Sequence, residues 1–232
     1  MEYCIALSDL LCRELNAFKH NQGFDVATVE KMLHLYKPPH ITNVAQLKRI
    51  GISNSPLEAQ LAKAGLIEQT IEELAMKTLY KIVLDSENRE FPYVNINNDP
   101  VQNNYAILCA PGQDRDKAQD HVRALLENAK SVLIFDKYIA ANWKSTRRLF
   151  DELMPQKSLS IFYADNHLQS VAGDIKKICR QWTIKPDRNK TYADHHDRYI
   201  RIDQKIEIVL TSGIDYLFDD AKECTLLIRK VR

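Results

Sequence analysis

The rhythm of apolar and polar positions changes once along the chain, near residue 78. Before it, apolar residues recur at helical spacing. Ile5, Leu10, Leu11, Leu15 and Phe18 make one stripe, and Val26, Val29, Met32 and Leu33 make a second, opened by Asp25 as a cap and stopped by Pro38-Pro39. Residues 43–50, 55–64 and 68–77 read as shorter helices, with Ser55-Pro56 as a cap and first-turn pair and Gly65 closing the second of the three. A helix-turn-helix around Gly51-Ile52-Ser53 has loose spacing, so a packing or partner-binding helical domain is the preferred reading.

Beyond residue 78 short apolar runs alternate with helical stretches. Residues 79–84 and 91–96 read as strands, as do 105–109, 132–135 and 159–163. Helices are predicted over 115–129, capped by Asp114, and over 142–154, stopped by Pro155. A further helical stripe runs through Leu168, Val171, Ile175, Ile178 and Trp182. Strands at 196–202, 206–210 and 225–228 close the pattern. This order predicts an α/β domain over residues 78–232, a mixed sheet with flanking helices, preceded by a mostly helical domain over residues 1–77.

One of these strands carries chemistry. His196-Asp197-Arg198-Tyr199-Ile200-Arg201-Ile202-Asp203 is followed after six residues by Leu210-Thr211-Ser212-Gly213. His196 and Arg198 lie two apart and so share one face of a strand. An imidazole beside a permanent cation suits a phosphate, because the ring can attack phosphorus while guanidinium neutralises the non-bridging oxygens. Asp203, at the strand's end, is a candidate to orient either partner. Thr211 and Ser212 are candidate donors to phosphate oxygens, or else satisfy the turn at Gly213. Asp136-Lys137-Tyr138 ends a predicted central strand, where open α/β sheets commonly place ligand-binding groups; it either lines the same cleft or is a strand-end loop whose Asp caps the next helix.

The spacing H-x-R-x4-D resembles the H-x-K-x4-D signature of the phospholipase D superfamily, with Arg198 in the Lys place. Leu210 and Thr211 hold the places of that family's Gly-Ser, and Gly213 that of its Asn. The wording His-Asp-Arg-Tyr-Ile with Ser-Gly-Ile-Asp-Tyr also resembles the phospholipase D-like C-terminal domain of MIT-domain proteins, a version that binds rather than cuts. The first resemblance implies a phosphodiesterase, nucleic acid foremost as substrate. His196 would be the nucleophile, forming a phosphohistidine, with Arg198 and Thr211 or Ser212 on the oxyanions, and no metal or other cofactor. It also implies a homodimer, since the family's enzymes use two motif copies and this chain holds one. The second implies a binding module for nucleic acid, a phosphorylated lipid headgroup or a protein. Arginine shifts its proton less readily than lysine, which weakens the expectation of turnover more than that of binding.

Charge sharpens the picture near the motif. Residues 1–104 carry 10 Lys and Arg against 13 Asp and Glu, whereas residues 105–232 carry 22 against 18. Lys176, Lys177, Arg180 and Lys185 open a basic stretch reaching Arg201, interleaved with Trp182, Tyr192 and Tyr199, as a surface that pairs phosphates and stacks bases would be. An ordinary solvated face is the alternative. The five cysteines are scattered, without metal-ligand pairing, which predicts reduced thiols. No apolar run has the length of a membrane span, and Met1-Glu2-Tyr3-Cys4 lacks the cationic lead of a signal peptide, so a cytoplasmic location is expected.

Overall fold

Ile5, Ala6 and Leu7 are fully buried, and a run apolar on both faces suits a central parallel strand better than the first turn of a helix. The computed structural model describes residues 2–98, 105–164, 167–192 and 195–231. Its contacts divide the chain into two compact units, Met1–Asp99 and Pro100–Arg232.

In the first unit Ile5–Leu7 is β1. The helices are α1 (Asp9–Lys19), α2 (Val26–Leu35), α3 (Val44–Arg49), α4 (Ser55–Lys63) and α5 (Ile71–Met76), and the remaining strands are β2 (His40–Ile41), β3 (Val83–Asp85) and β4 (Tyr93–Asn95). All four strands are parallel, in the order β2-β1-β3-β4. Local chemistry sets the helix starts. Asp25, Asn43 and Asn54 each accept a backbone N–H of the first turn, and Thr70 with Glu73 forms a reciprocal capping box. The cap of α4 is thus Asn54, one residue ahead of the expected Ser55.

The helical content agrees with the sequence pattern, but the small sheet was not anticipated. Residues 79–84 and 91–96, expected to begin the second domain, contribute β3 and β4 to the first sheet, so the break in contacts falls at 99/100 rather than 77/78. The reason is pairing: Ala6 and Leu7 of β1 register with Val83 and Leu84. Periodicity marks a strand, whereas its partner is set by tertiary contacts.

The second unit runs β5 (Ala106–Cys109), α6 (Asp116–Leu126), β6 (Ser131–Phe135), α7 (Trp143–Arg148) continued by a π-helical turn (Leu149–Leu153), β7 (Leu159–Tyr163), α8 (Ala172–Ile178), β8 (Trp182–Pro186), β9 (Arg198–Ile202), β10 (Ile206–Leu210) and β11 (Cys224–Lys230). These strands form one mixed sheet, ordered β5-β11-β10-β9-β6-β7-β8. β6, β7 and β8 are parallel, as β-α-β connections require, while β9, β10, β11 and β5 alternate antiparallel. The mixed sheet with flanking helices is the architecture the sequence predicted.

The two sheet faces differ. Val132, Ile134, Ile161, Ile200, Ile202, Ile208, Leu226 and Ile228 bury one face. There Trp182 meets Phe150 of the π-helical turn, and its indole N–H donates to the Pro155 carbonyl at 3.0 Å. Trp182 therefore begins an edge strand rather than ending a helix; its helical spacing from Ile178 is coincidental. On the other face Leu133, Phe162, Arg201 and Leu227 are half-buried, beside a buried cluster of Phe135, Tyr192, Tyr199 and Val209. No described helix is long and apolar enough to cross a membrane.

Candidate functional site

Sheet register brings Asp136, Arg198 and Thr211 to one end of β9. Phe135 pairs with Tyr199 and Leu210 with Arg198, so Asp136 leaves β6, and Thr211 leaves β10, beside the start of β9. Asp136 is fully buried. Its Oδ1 accepts the Tyr138 N–H at 2.8 Å, its Oδ2 accepts the Ile214 N–H at 2.9 Å, and Oδ1 lies 3.9 Å from Arg198 Nε. A buried carboxylate needs donors and a counter-charge, and these three groups supply both. The ion-pair partner of Arg198 is thus Asp136, 62 residues earlier in the chain, and not a neighbour in the motif.

Arg198 itself keeps 21 % of its side chain exposed. Its Cζ lies 5.5 Å from the centre of the Tyr138 ring, a cation–π distance, and its Nη1 donates to the His196 carbonyl at 3.3 Å. Asp136 therefore balances the charge from a long distance without occupying the guanidinium's donors.

His196 departs from expectation. It precedes β9 in an exposed bend rather than standing on the strand, so period-two alternation does not fix its ring beside Arg198. No described hydrogen bond orients its imidazole. His195 is exposed and packs edge-on against Tyr192 and Tyr199, both at 5.3 Å. Thr211 is exposed, its N–H donating to Thr225 O at 3.3 Å. Ser212 turns inward, and its buried Oγ adjoins the Cys224 thiol. Burial pushes that thiol up, with Arg115 and Ser212 pulling it back and Asp215 adding to the rise.

Other expected site residues lie elsewhere. Asp203 follows the far end of β9, about 16 Å along the strand from Arg198 at 3.3 Å per residue. There its Oδ1 accepts the Lys130 and Ser131 N–H groups at 3.0 and 2.7 Å, so it joins β9 to β6 rather than orienting His196 or Arg198. Lys137, exposed in the turn after β6, lies 5.8 Å from the centre of the Phe135 ring rather than beside Arg198. Lys176 Nζ donates to the Trp182 carbonyl and Lys177 pairs with Asp174 at 2.8 Å, while Arg180 and Lys185 are exposed. Tyr192 and Tyr199 do not form a surface for bases. They are buried and stacked on each other at 4.2 Å, and Trp182 is buried as well.

The Ile214 N–H and the burial of Arg115 escaped the sequence reading. Tyr138, 55 % exposed, and the Ile214 N–H gain their roles only when β6 and β10 end together. Arg115, read as a first-turn helix residue, is 3 % exposed. Its Nη2 donates to the Lys222 carbonyl, and its Nε and Nη1 are buried without a partner. Asp215 buries Oδ1, also without a partner, against Gly213, where an added Cβ would lie 2.1 Å from that oxygen. The tripeptide Gly213-Ile214-Asp215 was the available signal, since glycine there makes room for the carboxylate. Among the described residues no group of three or more His, Cys, Asp or Glu is placed to hold a metal ion.

No protein-family model matches the chain, and no curated protein matches it. Among solved structures, it is similar to NucT from Helicobacter pylori, at 15 % identity and a TM-score of 0.30, over 53 % of this chain and 84 % of that one. It is also similar to TrmBL2, an archaeal chromatin protein with a novel mode of DNA binding, at 14 % identity and a TM-score of 0.25. That match covers 79 % of this chain, and only 58 % of the TrmBL2 chain is spanned. At these scores neither likeness bears on the site.

Proposed function

We propose that the second unit is a phospholipase D-like domain that binds the phosphodiester backbone of nucleic acid at Arg198. The state of that guanidinium carries the reading. Its carboxylate partner stands at 3.9 Å, held there by two backbone N–H groups, and its own hydrogen bond is a 3.3 Å contact to a carbonyl. A phosphate offers paired oxygens to such a fork. The exposed Tyr138 ring supplies a stacking face, the Thr211 hydroxyl a further donor, and the excess of basic residues after position 104 attracts a polyanion.

Hydrolysis is the second reading, favoured by His196 standing two residues from Arg198 with its carbonyl held by Arg198 Nη1. The imidazole would form a bond to phosphorus as the ester oxygen leaves, and water would then cleave the phosphohistidine and restore the ring. The departing oxygen needs a proton, which a second His196 in a two-fold homodimer would supply. Arginine in the lysine place and an imidazole without an orienting acceptor both favour binding without turnover.

Labelled DNA and RNA incubated with excess chelator separate the readings. Binding reduced about tenfold by Arg198→Met, with no cleavage by wild type, is the expected result. Cleavage abolished by His196→Ala with binding intact would establish the second reading, and sedimentation would then have to show a dimer. Nucleic-acid affinity unaffected by Arg198→Met, with vesicles bearing phosphorylated headgroups bound instead, would overturn the nucleic-acid assignment.

A further inference from the structure

Three residues beyond Arg198 on β9, Arg201 points to the opposite, half-buried face of the sheet. There it lines a pocket of about 230 Å³ with Leu133 of β6, Phe162 of β7, Asp187 and Asn189 of the segment after β8, and Gln204 of the turn after β9. All belong to the second unit. The volume is below the roughly 300–1,000 Å³ of sites that take whole drug-sized ligands, so it suits one flat ring rather than an extended molecule.

The guanidinium in this pocket lacks partners. No hydrogen bond or ion pair holds Arg201 among the described residues, and its Nε is shut off from water with no acceptor. Neighbouring carboxylates are occupied. Asp187 accepts the Asn189 N–H at 3.1 Å, the Thr191 N–H at 3.0 Å and the Thr191 hydroxyl at 2.8 Å. Glu207, opposite Arg201 in the β9–β10 register, accepts the Tyr192 hydroxyl and two Arg229 nitrogens at 2.8 and 2.6 Å. These acids balance the charge of Arg201 and leave its donors unmatched. A ligand here needs hydrogen-bond acceptors more than it needs net charge.

The surroundings narrow the class. Phe162 and Leu133 present apolar surface for a ring to lie on, and Asn189 and Gln204 are exposed amides at its edge. Lys185, paired with Phe162 in the β7–β8 register, is exposed on the same face, and Arg188 and Lys190 are exposed in the segment carrying Asp187 and Asn189. The pocket floor thus takes a flat heterocycle and the rim takes a phosphate.

We propose that this pocket receives the base of a nucleotide, with its phosphate on the rim formed by Lys185, Arg188 and Lys190. Guanine fits the donors best, because its O6 and N7 are the acceptor pair that an arginine fork matches. The site lies on the other sheet face from Arg198 and does not rest on the reading given to that residue. A free nucleotide and an unstacked base of a single strand share this chemistry.

Calorimetry with GMP, guanosine, inorganic phosphate and a thymine-tract oligonucleotide bearing one guanine tests it. GMP is expected to bind about tenfold more tightly than guanosine, and phosphate alone more weakly than either. Arg201→Gln should weaken GMP or oligonucleotide binding at least tenfold. Gln204→Glu, an isosteric change at an exposed position that supplies the guanidinium with an internal acceptor, should act in the same direction. Arg198→Met should leave GMP binding unchanged. GMP binding identifies a free nucleotide as sufficient, and oligonucleotide binding without GMP binding identifies a strand. Binding of neither at millimolar concentration, or binding indifferent to both Arg201→Gln and Gln204→Glu, overturns the proposal.

Discussion

Arg198 and Arg201 are the same residue type on the same five-residue strand, yet their surroundings differ because they face opposite sides of the sheet. Arg198 has a fully buried carboxylate, Asp136, within 3.9 Å and an exposed tyrosine ring beside it. Arg201 has neither: Asp187 is turned to its own loop and Glu207 to Tyr192 and Arg229. Alternation along β9 decides which face each occupies. What each meets there depends on the strands that the fold places alongside.

The largest effect should come from removing the carboxylate that distinguishes the two. Asp136→Ala leaves the Tyr138 and Ile214 N–H groups and Arg198 without their partner, and should cost about 3 kcal/mol in urea unfolding, the low end for a broken buried pair because Arg198 retains some water. A loss under about 1 kcal/mol would mean that Arg198 is not tied to Asp136. Asp203→Ala should cost about 1–3 kcal/mol, through the two backbone donors it satisfies, while leaving polyanion affinity unchanged. Lost affinity there would return Asp203 to the binding site.

Duplex DNA then separates the two arginines directly. Arg198→Met should weaken duplex binding about tenfold, or about 1.4 kcal/mol, whereas Arg201→Met should have little effect, because paired bases cannot enter a pocket of 230 Å³. Equal losses would erase the distinction between the faces.

Alkali should act on the Arg201 face through Tyr192. Burial, the hydrogen bond to Glu207 and that carboxylate's charge together hold the phenol well above its ordinary range. The unfolded tyrosine ionises near pH 10, so the unfolded state loses its proton first, and stability present below about pH 10 falls as pH rises above it. Denaturation midpoints between pH 8 and 11 should show that decline, and Tyr192→Phe should flatten it. The smallest effect is expected at Lys176 and Lys177. Since one is engaged with a carbonyl and the other with Asp174, replacing both should change the salt slope of DNA binding by well under the roughly one unit per lost phosphate contact.

By itself the sequence determined the period of most elements in the second unit, the cap at Asp25, and the presence of a histidine and an arginine near a strand start. These are local matters, fixed by which residues recur at two or 3.6 positions and by side chains that reach their own backbone. It could not place β1, a three-residue strand inside an apparent helical stripe, because a short buried run has the same apolar content in either form. Nor could it assign β3 and β4 to the first sheet, since partner choice depends on residues some 80 positions away. The site divides in the same way. Arg198 and Asp136 were legible as candidates, but their pairing, the inward turn of Ser212, the partners of Asp203 on β6 and the partnerless donors of Arg201 were decided by the order β10-β9-β6. Strand order sets which side chains meet across hydrogen-bonded neighbours, and no spacing along one chain segment contains that information.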